Sequence, residues 1–331
     1  MLRAADVLRN TAAALTVLGF RDKRGRTFRF TLFNSARNFA REVTFTASRQ
    51  LGPPMLINYG YEITIAVAKP TPLICLLDVH PERRADVTAE TPFRSVPPVD
   101  TSTYIDAFGN QCRRLMVPAG EVTMRLDGTI ADSGRPEPVV PQASEIPVEQ
   151  LPHDVLVFLL GSRYCETDRL SQTAWDLFGT TPPGWGRVQT IADYVHKRVT
   201  FGYEHARPTR TALEAHEERI GVCRDYAHLF ITFCRCLNIP ARYVNGYLGD
   251  IGVPPDPAPM DFSAWVEVFL DNRWYTFDAR HNEPRTGRIV VARGRDATDV
   301  PLIKSFGPHT LKSFKVWTEE IKTPAPCAAN A

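Results

Sequence analysis

Residues 223–237 (CRDYAHLFITFCRCL) constrain the fold more than any other stretch of this chain. Tyr226, Phe230, Phe233 and Leu237 recur at helical spacing, which predicts a helix with one face buried. Asn238-Ile239-Pro240 stops it, because proline lacks the N–H that would continue the helix. Gly221 stands just ahead, where a tight turn or a close backbone approach is needed. Strand-like segments follow at 241–248, 263–270 and 273–279. A proline-rich loop (GVPPDPAPM) separates the first two, and Asp271-Asn272 joins the last two. A helix leading into an antiparallel run is an α+β arrangement.

Upstream the periodicity differs. From Met55 to about residue 140 the chain reads as strand and turn: 57–67 (INYGYEITIAV) is β-rich, and Phe108-Gly109-Asn110 precedes a strand at 112–117. Asp127-Gly128 inside EVTMRLDGTIA reads as a hairpin. A proline-rich stretch at 136–152 then marks a boundary, after which helical stripes take over. These are Val155, Phe158 and Leu159; Leu170, Ala174 and Leu177; and Val188, Ile191, Ala192, Val195 and Val199. The expected organisation is a basic extension (1–54), an N-terminal β domain (55–140), a linker with helices (141–184), a core (185–300) and a C-terminal segment (301–331).

Composition narrows the class. Hydrophobic residues at 44% and charged residues at 23% suit a soluble globular protein. No run approaches the roughly 18 apolar residues of a membrane span. The net charge of +2 is uneven: residues 1–50 hold ten basic and three acidic residues, leaving the remainder mildly acidic. That balance gives no reason to expect nucleic acid as a partner. Residues 11–20 resemble a short apolar signal core. However, Arg21-Asp22-Lys23-Arg24 stands where a small-residue cleavage site belongs, so the leader reads as a flexible extension or a start upstream of Met55. Seven cysteines at irregular spacing form no C-x-x-C pair, which points to free thiols in the cytoplasm, with no metal and no cofactor.

The chemistry concentrates at Cys223. A thiol in the first turn of a helix meets the positive end of the helix dipole, which favours thiolate. Free N–H groups there can receive a developing oxyanion. With a two-residue hairpin, Leu270 pairs with Arg273, residue 263 falls opposite residue 280, and residue 278 is its diagonal neighbour on the same face. Asp278 is then placed to orient the side chain at position 263. Glu267, between valines, marks one face of its strand as different.

The blocks G-V-C-R-D-Y-A-H-L, I-P-A-R-Y-V-N-G-Y-L, A-W-V-E-V-F-L and R-W-Y-T-F-D-A resemble, in order and spacing, the bacterial transglutaminase-like superfamily over roughly residues 185–300. The preceding β region looks like the small N-terminal domain that accompanies such cores. The resemblance implies a papain-like α+β core, the nucleophile helix packed on an antiparallel sheet, with a Cys–His–Asp triad. Cys223 matches the nucleophile and Asp278 the acid that orients the base. The family's histidine directly precedes the Ala-Trp pair, and here that place holds Ser263.

Serine has no useful basicity near neutral pH. Ser263 could instead hydrogen-bond Asp278 or hold a water. His281 is the substitute base to consider: strict alternation puts it on the opposite face from Asp278, unless the strand leaves the sheet there. His228 lies about 140° round the helix from Cys223 and reads as a core residue. His196 and His205 flank V-T-F-G-Y-E and could line the cleft. Arg224 and Asp225 read as a solvated first turn or as substrate contacts, and Trp265 as core or as a rim of the cleft. Two functions remain open. One is a cysteine peptidase or acyl transferase working through a Cys223 thioester on a peptide or protein substrate. The other is a catalytically silent member that keeps the cleft as a peptide- or protein-binding module. No acidic loop suggests calcium.

Overall fold

The computed structural model describes residues 54–322, together with the strands Leu15–Val17, Thr27–Asn34 and Phe39–Thr46. Residues Met1–Pro53 and Pro54–Ala331 form two separate units. In the first, the three strands pair antiparallel in sequence order. The expected basic extension otherwise lies outside the described residues.

The second unit is α+β. Its largest sheet is organised around Met55–Val67, which pairs along its whole length with Gly120–Asp132 and on its other edge with His309–Glu320. Val87–Glu90 and Arg94–Val96 extend the sheet along Gly120–Asp132. A second sheet runs Ile303–Ser305, Thr71–Cys75, Gln111–Val117, Thr101–Ile105. The third, which carries the site, runs Arg273–Phe277, Ser263–Leu270, Ala241–Tyr247, Ile289–Gly294, all antiparallel. Four helices accompany it: α1 (Thr167–Phe178), α2 (Trp185–Arg198), α3 (Ala212–Glu218) and α4 (Cys223–Cys236).

Helix α4 is the hub. It lies on Ser263–Leu270 and Ala241–Tyr247 and touches all three other helices. Phe230 and Phe233 are fully buried, each contributing about 2–3 kcal/mol of transfer free energy. Phe233 meets Phe178 and Tyr194 edge-on at 5.3 and 5.8 Å, which ties α4 to α1 and α2. Arg235 closes the far end, donating to the carbonyls of Ala241 (2.9 Å), Leu160 (2.9 Å) and Arg295 (2.6 Å). The distinct face of the neighbouring strand is an ion cluster: Glu267 is buried between Arg242 and Arg293.

Several expectations change. Asp127-Gly128 is no hairpin, because the strand runs through it from Gly120 to Asp132. Gly128 answers a steric demand instead: a Cβ there would sit 2.8 Å from Tyr59 Oη and 2.9 Å from the Ala89 carbonyl. The stripe at 155–159 forms a single 3₁₀ turn, Leu156–Leu159. In α1 the buried third position is Phe178, and Leu177 is exposed. Pro54–Ala331 clusters as one compact unit, within which the C-terminal segment supplies an edge strand to the first sheet.

Candidate active site

The segment before α4 is held by side chains that were expected to face solvent. Asp225 Oδ2 accepts the Val222 N–H at 2.8 Å and pairs with Arg210 Nη1 at 3.2 Å. Asp225 is completely buried, and burial pushes its carboxyl up against the opposing pull of the Val222 N–H, Arg224 and Arg210. The expectation of a solvated or substrate-contacting Asp225 is therefore corrected: it locks the first turn. Gly221 makes room for it, because a Cβ there would meet Asp225 Cβ at 2.7 Å. The first intrahelical bonds run from the N–H groups of Asp225 and Tyr226 to the Val222 carbonyl. The N–H groups of Cys223 and Arg224 precede them and have no acceptor inside the helix.

Cys223 is partly buried at the wall of a cleft of about 510 Å³, with Arg224, Tyr243, Asn245, Asp261, Ser263 and Ala264 around it. Burial pushes its thiol up to about 11. Arg280 and the Ala264 N–H pull it down, while Asp261 and Asp278 add to the rise. Arg224 lines the same cleft and donates from Nη2 to the Arg207 carbonyl at 2.7 Å.

The hairpin has the register expected from its two-residue turn. Leu270 pairs with Arg273, and Asp271 and Asn272 both take positive φ, 48° and 58°. Pairing ends at Val266 with Phe277, so Asp278 lies just past the strand. There the chain turns, the Asn282 N–H bonding the Asp278 carbonyl at 2.7 Å. Asp278 Oδ1 accepts the N–H groups of Arg280 (3.0 Å) and His281 (3.3 Å). Its Oδ2 accepts from His281 Nδ1 and from Arg288 Nη2, both at 2.8 Å. Burial alone would raise the Asp278 carboxyl, but Arg288 and His281 outweigh it and hold it well below the carboxylate range.

This turn brings His281 onto Asp278 where strict strand alternation would have separated them. A carboxylate only accepts, so His281 Nδ1 carries the proton and Nε2 is left as the basic nitrogen. His281 is partly exposed and opens on a polar cavity of about 140 Å³. Ser263 belongs to the walls of both this cavity and the Cys223 cleft. Its hydroxyl is buried and makes no bond to Asp278, the first of the two roles open to it.

Four other histidines have partners elsewhere. His228 is buried, stacked on Tyr164 at 4.8 Å, and accepts the Ala297 N–H at Nε2 (3.1 Å). Burial lowers it to about 3. His196 Nδ1 bonds the Ala279 carbonyl at 3.0 Å, and His205 lies 3.6 Å from Glu204. His216 meets the Tyr194 hydroxyl at 2.9 Å. Trp265 is 1% exposed, under Arg288 at 4.8 Å, which corrects the expectation of a cleft rim. Sequence reasoning missed Arg288, for which no local signal exists. It also missed Asn245, a lone amide in an otherwise buried strand, which that contrast could have flagged. Among the described residues no group of three or more His, Cys, Asp or Glu is arranged to hold a metal, and no helix is long and apolar enough to cross a membrane.

Residues 172–279 match the family model of the transglutaminase-like superfamily, a span that contains Cys223, Ser263 and Asp278. An uncharacterized protein of Mycobacterium leprae is 33% identical over 99 residues, 29% of this chain and 35% of that protein. One of Mycobacterium tuberculosis is 33% identical over 97 residues, 27% of this chain and 31% of that protein. The chain thus matches about a third of the length of these curated relatives. The crystal structure of a candidate cysteine protease from Cytophaga hutchinsonii superposes with a TM-score of 0.71 at 27% identity, covering 82% of this chain and 92% of that one. The order of helix and sheet, the position of Cys223 at the start of α4 and these likenesses agree: residues 172–279 form a domain of the transglutaminase-like superfamily.

Proposed function

We propose that Cys223 is a thiol nucleophile for acyl transfer on peptide or isopeptide bonds, with His281 as the base that Asp278 orients. The observation carrying this reading is the 2.8 Å bond from His281 Nδ1 to Asp278, which leaves Nε2 free at a cavity sharing Ser263 with the Cys223 cleft. A thiol at about 11 is ionised to roughly one part in ten thousand at pH 7, so attack needs a base. In the reaction the sulfur adds to the substrate carbonyl as its proton passes to the imidazole. The oxyanion forms beside the first N–H groups of α4, and the departing amine takes the proton as the thioester forms. Water or a second amine then resolves the thioester, so peptidase and transferase share every group up to that point. The described cysteines are free thiols, which suits a reducing cytoplasm.

The second reading is a catalytically silent, peptide-binding member. It is favoured by Ser263 at the family's base position and by a thiol that burial holds protonated. The pH profile of Cys223 alkylation by iodoacetamide separates the two, with Cys223→Ala as the blank. A functional base gives a step in the profile, below the rise of the thiol itself, that His281→Asn removes. A profile that only climbs toward pH 11, identical in His281→Asn, refutes the acyl-transfer reading.

A further inference from the structure

We infer that Arg224 is a carboxylate-binding residue of the Cys223 cleft, selecting peptides that carry an acidic group near the bond attacked. The inference deepens the acyl-transfer reading and rests on its cleft. Arg224 follows the nucleophile in the first turn of α4 and is partly buried in the cleft wall. Two contacts hold its guanidinium there. Nη2 donates to the Arg207 carbonyl at 2.7 Å, and the group lies 6.0 Å from the centre of the Tyr164 ring. Neither contact neutralises the charge. Among the described residues no carboxylate pairs with Arg224, because those of this corner are spent on other arginines. Arg207 meets Glu214 at 3.0 Å and Glu218 at 2.8 Å, and Arg210 meets Glu218 at 3.0 Å and Asp225 at 3.2 Å. Arg163, 5.0 Å from the same Tyr164 ring, adds to the positive side.

A guanidinium is planar, always charged and offers its N–H groups in a fixed fork. In Arg224 the Nε edge is shut in the interior and Nη2 is tied to Arg207, which leaves Nη1 accessible and without an acceptor. The walls beside it, Tyr164, Pro208, Tyr243, Val300 and Leu302, are largely apolar and strengthen a charge pair relative to open water. The anions a peptide carries are carboxylates, and their oxygens accept from a guanidinium in charge-assisted bonds. The other charge of the cleft is Asp261, which belongs to the wall shared with the His281 cavity, whereas Arg224 does not. The cleft is thus polarised. A bound peptide turns its acidic group toward Arg224 and away from Asp261, and the corresponding uncharged amide loses that attraction.

The test uses the full chain and two disulfide probes: dithiobis(nitrobenzoate), with a carboxylate on each ring, and neutral dithiodipyridine. Their rates at Cys223 are each divided by the rate with mercaptoethanol at the same pH and salt, and Cys223→Ala supplies the blank. The ratio of the two cancels any change in thiol ionisation. The wild type is expected to favour the anionic probe by about five-fold, the scale of one partly exposed ion pair, and less so in high salt. Arg224→Gln, with near-ultraviolet circular dichroism unchanged, is expected to bring the ratio close to one. A wild-type ratio equal to that of mercaptoethanol overturns the inference, as does full preference in a native-like Arg224→Gln. If Arg224→Gln does not fold, protection of wild-type Cys223 against dithiodipyridine decides. N-acetylglutamic acid α-amide, N-acetylglutamine and the uncharged N-acetylglutamine amide are compared. Protection by the first marks an acidic side chain as the group bound, and protection by the second a chain terminus. If neither protects better than the uncharged third, the inference is refuted. The acyl-transfer reading fails on the pH step and this one on the charge preference, so either can fall without the other.

Discussion

Arg288→Leu removes the guanidinium that pairs with Asp278. Arg288 Nη2 lies 2.8 Å from Asp278 Oδ2, its Nε binds Glu137, and the side chains of Arg288 and Asp278 are 7% and 3% exposed. Deleting one partner of a buried pair leaves an uncompensated charge and costs about 3–5 kcal/mol. Asp278 keeps three donors, the N–H groups of Arg280 and His281 and the His281 ring, so the low end, about 3 kcal/mol at pH 7, is expected.

The pH dependence has a definite sign. In the wild type the Asp278 carboxyl is held below its unfolded value of about 3.9. Its stabilisation is therefore complete above that value and lost as pH falls through the folded one. In the variant burial is offset only by the remaining donors, so the carboxyl rises and takes up a proton earlier. The gap between wild type and variant should then be widest at pH 7 and narrower at pH 4. Urea titrations at both pH values measure it. A difference under about 1 kcal/mol at pH 7, or the same difference at pH 4, would show that Arg288 does not hold Asp278 in the way described.

Asp225→Ala should cost about 3 kcal/mol in urea titrations, because the Val222 N–H loses its acceptor and buried Arg210 keeps only Glu218 of its two carboxylate partners; a cost under about 1 kcal/mol counts against the first-turn lock. Gly128→Val should destabilise by about 2 kcal/mol or more, since its Cβ meets Tyr59 and the Ala89 carbonyl. Gly186→Ala, in α2 with nothing within 4 Å, should instead raise the thermal midpoint. At the turn, Asn272 has φ 58°: Asn272→Gly should stabilise slightly, and Asn272→Val should cost about 1–2 kcal/mol.

What was legible in the residues was local. The face Tyr226, Phe230, Phe233 and the stop at Pro240 placed α4 and hence Cys223, because helical spacing and proline act over a few residues. The Asp271-Asn272 turn gave the register Leu270 to Arg273, because a two-residue loop leaves little choice of pairing. The same local habit misread Asp127-Gly128 as a hairpin, where the glycine answers Tyr59, 69 positions earlier in the chain.

The surroundings of Cys223 were decided by tertiary structure. Asp278 takes its charge partner from Arg288 across the turn, and Asn245 is oriented by Val300, 55 residues away. Whether Asp225 faces water or Arg210 depends on how the segment before α4 packs. Periodicity reports which face of an element is apolar. Which polar atoms meet inside the fold is set by contacts between segments far apart in sequence.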